Sequence, residues 1–384
     1  MSLSKGRLRY GLALLIVPLI AAACSSTPSG SNSTTTTTAG GSGGNAQVTA
    51  AKAVIANAES GIPTINVTVP LPHAPARGIK VGFINGNLSS QQINGDQFTT
   101  AADDLGWDPE VFTYDPTNPQ SIGQAIEQAI SAKVKYIGIN GTNSPAYATA
   151  LAAAKAAGIP FVQINVVNES GATGKGIAAC VSCDASLDQW TKLIVNWITV
   201  DSNDKANVLW VDVPEFISNT YEQTQLQNGF KSACSGCTMS TLSVTLTDLS
   251  NGSIPQTVAS YLESHPNIDY LAFPFGQVGD DVRTTLNTAG IGKNVKIVTL
   301  YPDLAETQDV IAGNIQAAMV FGGGEQMFDA LDAMARMSEG MSPAASEVAS
   351  TTDIWTPSSV PKPAAIFQGP PNYQQQFKTL WKVG

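Results

Sequence analysis

Two C-x-x-C pairs, CVSC at 180–183 and CSGC at 234–237, are the most reactive pattern in the chain. Thiols at that spacing can ligate zinc, run thiol–disulfide exchange or close into small disulfides. Other reactive groups are scarce. Only two histidines occur, His73 and His265, which removes most chemistry built on an imidazole base. Asp184, Glu215, Glu222 and Asp303 could supply carboxylates, but no nucleophile–base pair is visible beside them. GATGKG at 171–176 lacks the Walker spacing, and no G-x-G-x-x-G follows the first apolar run. No cofactor and no metal site are expected.

The N-terminus says where these thiols live. Lys5, Arg7 and Arg9 precede the apolar run GLALLIVPLIAAA, which is short and holds Pro18, so it reads as a signal peptide over 1–23. Small residues before Cys24 resemble the lipobox of bacterial lipoproteins, which implies lipidation of Cys24. Ala21 stands where that pattern usually has Leu. Ser, Thr and Gly then dominate to residue 47, and such a segment buries too little to order itself. It reads as a tether (24–47) holding an extracytoplasmic body to the membrane, periplasmic or at the cell surface. Removing residues 1–23 leaves 17 basic against 30 acidic residues, a net charge of −13. That balance excludes nucleic acid as a partner and gives no basic membrane-binding face.

The rest must position whatever the chain binds. VTAAKAVIANAE predicts a short helix, and the Pro-rich 63–78 segment should run extended, together spanning 48–77. From Ile79, continuous apolar runs alternate with amphipathic stretches. IKVGFIN, EVFTY, KYIGIN and PFVQINVV read as buried strands, and Ile122, Ile126, Ala129 and Ile130 share one helical face between them. After the Gly-rich NESGATGKG the alternation resumes with IAACV, ANVLWVDV, STLSVTLTD, DYLAFPF, VKIVTLY and IQAAMVFGG. Helices are expected over 185–200, 218–233, 253–264, 277–289 and 303–313, with a last one in EQMFDALDAMARMSEG. Repeated strand–helix–strand units demand parallel sheets, so the fold class is α/β with two doubly wound domains.

In this order and spacing, KVGFIN, AADDLGW, YIGINGTNSPA, AAKAAGIPFVQIN, NGFKSA, TLNTAG and IVTLY resemble the type I periplasmic binding proteins of the ribose/galactose group over about 78–350. The resemblance implies a three-segment hinge between lobes, 78–170 plus 322–350 and 176–320 plus 351–384. Crossings fall near 170–176, 320–323 and 350–360, where Gly171, Gly174, Gly176 and Gly322 to Gly324 could absorb hinge motion. It also sets the two thiol pairs at opposite ends of second-lobe strands. A five-residue strand is on the order of 17 Å long, too far for one zinc to bridge, and export favours oxidation. Two local disulfides, Cys180–Cys183 and Cys234–Cys237, are therefore expected.

The same resemblance implies a ligand cleft. Its first loop would supply Asn85, Asn87, Ser90, Gln91 and Gln92. Asn140, Asn165, Phe275 and Tyr301 fall at strand tips, and Tyr221 on the helix after the first second-lobe strand. Where the family has a sugar-binding Arg and carboxylate, this chain has Asn165 and Val166, then Phe275 and Tyr301. The expected ligand is neutral or cationic and less polar than a free pentose or hexose. The leading function is a monomeric solute-binding lipoprotein that hands a sugar-like or modified-sugar molecule to an ABC permease driven by its ATPase. A lipid-anchored sensor reporting to a membrane receptor comes second, and an enzyme third.

Overall fold

The computed structural model describes residues 42–171 and 175–384. The signal peptide, Cys24 and most of the tether lie outside the described residues, as does Gly174. A helix already begins at Ser42 and runs to Ala58, inside the span expected as tether. Among the described residues no helix is long and apolar enough to cross a membrane.

Two sheets organise the chain. The first contains β1 (Lys80–Gly86), β2 (Asp108–Tyr114), β3 (Tyr136–Asn140), β4 (Phe161–Ile164) and β5 (Ile177–Val181) in the order 2-1-3-4-5, all parallel. The second contains β6 (Asn207–Asp212), β7 (Thr238–Ser243), β8 (Tyr270–Phe273), β9 (Lys296–Leu300), β10 (Ala317–Phe321) and β11 (Thr352–Trp355). Its order, β11-β10-β9-β8-β6-β7, repeats the first sheet and adds β11 as an antiparallel edge. The central strands are apolar runs buried along nearly their whole length, as helices on both faces require. β7, at an edge, is Thr- and Ser-rich and half-exposed, which suits an unpaired margin.

Each sheet is sandwiched between two apolar clusters. Phe83 and Phe98 stack at 4.7 Å in one cluster of the first lobe, with Met327, Phe328 and Leu331 beside them. The helix Gly323–Ser338 supplies those last three residues and is buried all round from Gly323 to Arg336. Leu187, Trp190, Trp210 and Phe230 build the matching second-lobe cluster, which Ile55 of the N-terminal helix joins.

Three expectations about connectivity need correction. β5 pairs with β4, so 177–181 belongs to the first sheet and the Gly-rich segment before it is a loop within that lobe. The chain instead leaves at Ser182, whose φ of 53° lets β5 turn directly into the helix Asp184–Asp201. The residues after 350 do not all stay with the second lobe. The helix Tyr373–Trp381 packs Tyr373, Phe377 and Trp381 into the first-lobe core. The strand expected over 240–248 ends at Ser243, because Thr245 and Asp248 form a capping box that starts a helix.

The three crossings lie side by side. Ser350 Oγ donates to Ser182 Oγ (2.7 Å), Ser350 N–H to Ser186 Oγ (2.9 Å), and Gln326 Nε2 to Ser350 Oγ (2.9 Å). Gly322 N–H donates to the Thr351 carbonyl (3.0 Å). These bonds join passages at 182–186, 322–326 and 348–351 into one hinge.

Both thiol pairs are closed locally, Cys180 to Cys183 and Cys234 to Cys237, with Cα separations of 5.8 and 5.3 Å. The second pair ends the helix Ile217–Ala233 and precedes β7. Closing so small a loop removes little denatured-state freedom. Replacing Cys234 and Cys237 together by Ser should cost about 2 kcal/mol by loop entropy. Urea unfolding of the double variant checks this, and an unchanged free energy would count against the bond.

Candidate functional site

In doubly wound sheets, ligands sit beyond the carboxyl ends of the strands, where the strand order reverses. Here both sheets turn those ends to one shared cleft with a cavity of about 70 Å³. On the first-lobe side, Leu88, Gln91 and Asn94 come from the connection after β1, Asn140 and Gly141 from the tip of β3, and Asn165 from the end of β4. On the second-lobe side, Phe216, Ser218, Asn219 and Glu222 follow β6. Pro274 and Phe275 follow β8, Tyr301 follows β9, Phe321 ends β10, and Trp190 reaches in from the helix after β5.

The two halves use one device twice. The helix Ser89–Leu105 presents Gln91 and Asn94, and the helix Ile217–Ala233 presents Asn219 and Glu222. Residues three apart share a helical face, so the first two turns of each helix bring two polar residues to the same cavity. Asn85, at the end of β1, braces the first of these helices by donating from Nδ2 to the Gln91 carbonyl (3.1 Å).

Aromatic rings form the other wall. Trp190 stacks on Phe321 at 3.8 Å and Phe321 on Tyr301 at 4.5 Å, giving three nearly parallel rings. Phe216 and Phe275 meet edge to face at 5.8 Å. Tyr301 is held at φ 42°, a left-handed conformation costly for a bulky residue. Its carbonyl accepts from Gly276 N–H, and its own N–H donates to the Met319 carbonyl. Asn165 occupies the equivalent strand tip of the first lobe with φ 53°.

Several polar atoms in this wall are buried and lack a protein partner: Gln91 Oε1, Asn140 Oδ1, Trp190 Nε1, Asn219 Nδ2 and Glu222 Oε2. A buried polar atom left unpaired costs about 1–3 kcal/mol. Five around one cavity is the arrangement expected of a site built to be filled. Burial, with the neighbouring Asp212 charge, pushes the Glu222 carboxyl well above the usual carboxylate range. Among the described residues, Glu222 is the one charged residue in the wall, which holds no Lys, Arg or His.

Of the residues expected from sequence, Gln91, Asn140, Asn165, Phe275 and Tyr301 come together in the cleft. Asn85 stands behind it as a brace. Asn87 is exposed, tied by its N–H to the Tyr114 carbonyl, and is no part of the wall. Ser90 and Gln92 fall in the first helical turn, and their side chains lie outside the described residues. Tyr221 turns away and donates to Asp188 Oδ1 (2.8 Å), because one residue along a helix rotates a side chain by about 100°. Its neighbour Glu222 takes the place expected for it. Asn94, Trp190, Phe216, Asn219 and Phe321 were not anticipated. Helical spacing from Gln91 would have found Asn94, whereas no local signal marks Trp190 or Phe321.

Two doubly wound lobes, a three-segment hinge and a cleft lined by amides and aromatic rings define a solute receptor of the type I periplasmic binding fold. Residues 81–342 match the family model described as "Periplasmic binding protein domain", and the chain belongs to that family. Among solved structures it is similar to GanP, a glucose-galactose binding protein from Geobacillus stearothermophilus (TM-score 0.64, 15% identity, 74% of this chain and 100% of that one). It is also similar to a solute-binding protein from Burkholderia graminis in complex with D-arabinose (TM-score 0.61, 18% identity, 73% and 96%). A third, from Agrobacterium vitis, is bound with α-D-tagatopyranose (TM-score 0.63, 18% identity, 74% and 97%). No curated protein matches the sequence significantly.

Proposed function

We propose that this protein is the extracytoplasmic receptor of an ABC importer, tethered through Cys24, which captures a sugar-like or modified-sugar molecule between its lobes and presents it to a permease. The cluster of unpartnered buried polar atoms facing a stacked aromatic wall carries this reading. Amides bond hydroxyls, aromatic faces cover the apolar side of a ring, and hinge closure excludes water. The bond network joining the three crossings supports a closure in which both lobes move as units.

Mass spectrometry of the natively purified protein should show a small molecule retained by the wild type. Trp190→Ala removes the ring that opens the aromatic stack and should weaken that ligand by about 2 kcal/mol, roughly thirtyfold. Isothermal titration measures the loss. Solution scattering should show a smaller radius of gyration with ligand than without. Catalytic turnover of the bound molecule would sink the receptor reading.

A further inference from the structure

We propose that the cleft takes a small organic cation, a compact ring or polyol bearing a protonated amine. This deepens the receptor reading and rests on it. Glu222 is 4% exposed, lines the cavity and leaves Oε2 without a partner. A buried carboxylate calls for a paired positive charge, and the described residues of the wall supply none. From the opposite lobe, Gln91 and Asn140 line the same cavity, and their oxygens Gln91 Oε1 and Asn140 Oδ1 are unpartnered acceptors. An ammonium brings three N–H donors and no acceptor, which suits these groups. Trp190, Tyr301 and Phe321 add π faces that attract a cation in a dry site. An anion would meet Glu222 with no counter-charge.

The surroundings of Glu222 reinforce the sign. β6 brings Asp212 to its tip, and Glu215 follows in the next connection. The helix Asp184–Asp201 brings Asp184, which accepts from Asn168 N–H, and Asp188, which accepts from Tyr221, while its Lys192 is exposed. Burial, with Asp212 beside it, favours the protonated form of Glu222 in the empty protein. A cation placed beside it favours the carboxylate, so binding should release that proton and strengthen as pH rises.

Matched panels test the charge: glucosamine, galactosamine and 1-amino-1-deoxysorbitol against glucose, galactose, sorbitol and the N-acetylated amines. In wild-type protein at pH 7.5, at least one amine should bind tenfold or more tighter than its neutral partners by calorimetry. Its enthalpy should vary with buffer ionisation. In Glu222→Gln the preference should fall to within about twofold and the buffer dependence should vanish, with the melting temperature of the unliganded variant reporting that it is folded. Neutral partners that bind as well as the amines, or a preference that survives Glu222→Gln, would overturn the charge assignment and leave the receptor reading intact. No binding across the panel, with no molecule retained on native purification, would overturn both.

Discussion

Between pH 7 and pH 5 the melting temperature of the unliganded protein should rise as acid is added. Most proteins owe acid sensitivity to carboxylates that are better satisfied when folded. Here several carboxyls have the opposite shift. Burial pushes Glu325 up to about 7, against the pull of hydrogen bonds from Thr351 and Asn66. Burial pushes Asp329, one turn further along the same helix, and Glu306 well above the usual range, helped by neighbouring acids. Asp280 rises to about 7 for the same reasons. A group with a raised folded pKa binds more protons folded than unfolded, so stability falls as pH climbs from about 4.5 to about 7. For Glu325 alone that is about 3 kcal/mol, at 1.36 kcal/mol per pKa unit. Glu169, held down to about 2 by Lys175, Ser144 and Gln163 against its burial, loses its contribution only as pH falls below about 4.5, so it barely tilts the range from pH 7 to pH 5. Glu325→Gln should flatten the slope and raise stability at pH 7. Differential scanning fluorimetry at half-unit steps measures both, and a melting temperature that falls on acidification would show these carboxyls to be hydrated.

Asp332→Ala should cost about 3–5 kcal/mol, the usual effect of removing one partner of a fully buried ion pair. Asp332 and Arg336 are both 0% exposed, with Nε to Oδ2 at 2.7 Å. Asp332 also accepts from Ser346 Oγ (2.6 Å) and from Trp381 Nε1 (2.8 Å), and Arg336 donates to the Val69 carbonyl. One carboxylate thus fastens the Pro-rich extension, the helix Gly323–Ser338, the turn at 343–346 and the C-terminal helix. Its loss leaves a guanidinium buried without a counter-ion and an indole without an acceptor. Urea unfolding gives the magnitude. Limited proteolysis should show earlier cleavage on both sides of the junction, near 60–72 and 356–372. A variant within 1 kcal/mol of wild type would mean that the Arg336 site rehydrates freely.

The local grammar of this chain was legible from its residues. Apolar runs such as KVGFIN and YIGIN bury both faces, which makes parallel central strands, and the intervening amphipathic helices complete two doubly wound units. Cys234 and Cys237 are three residues apart, near enough to pair without help from the fold. Asn140, Asn165, Phe275 and Tyr301 came into view through the resemblance to the binding-protein family, whose ligand positions at strand tips they match in order. Pairing partners and side-chain directions were decided elsewhere. IAACV reads equally well against either sheet, since a strand buried on both faces carries no mark of its neighbour; the packing of the helix Gly323–Ser338 against β4 and β5 fixes it in the first lobe. The C-terminal helix is too short to declare its partner, and it returns to the first lobe because Phe377 and Trp381 find Phe328 and Asp332 there. At the cleft, a rotation of 100° per helical residue separates Tyr221, turned to Asp188, from Glu222, turned to the ligand space. The residue types at the start of that helix were in the sequence, but only its packing against the helix Asp184–Asp201 and β6 decided which of them lines the cavity.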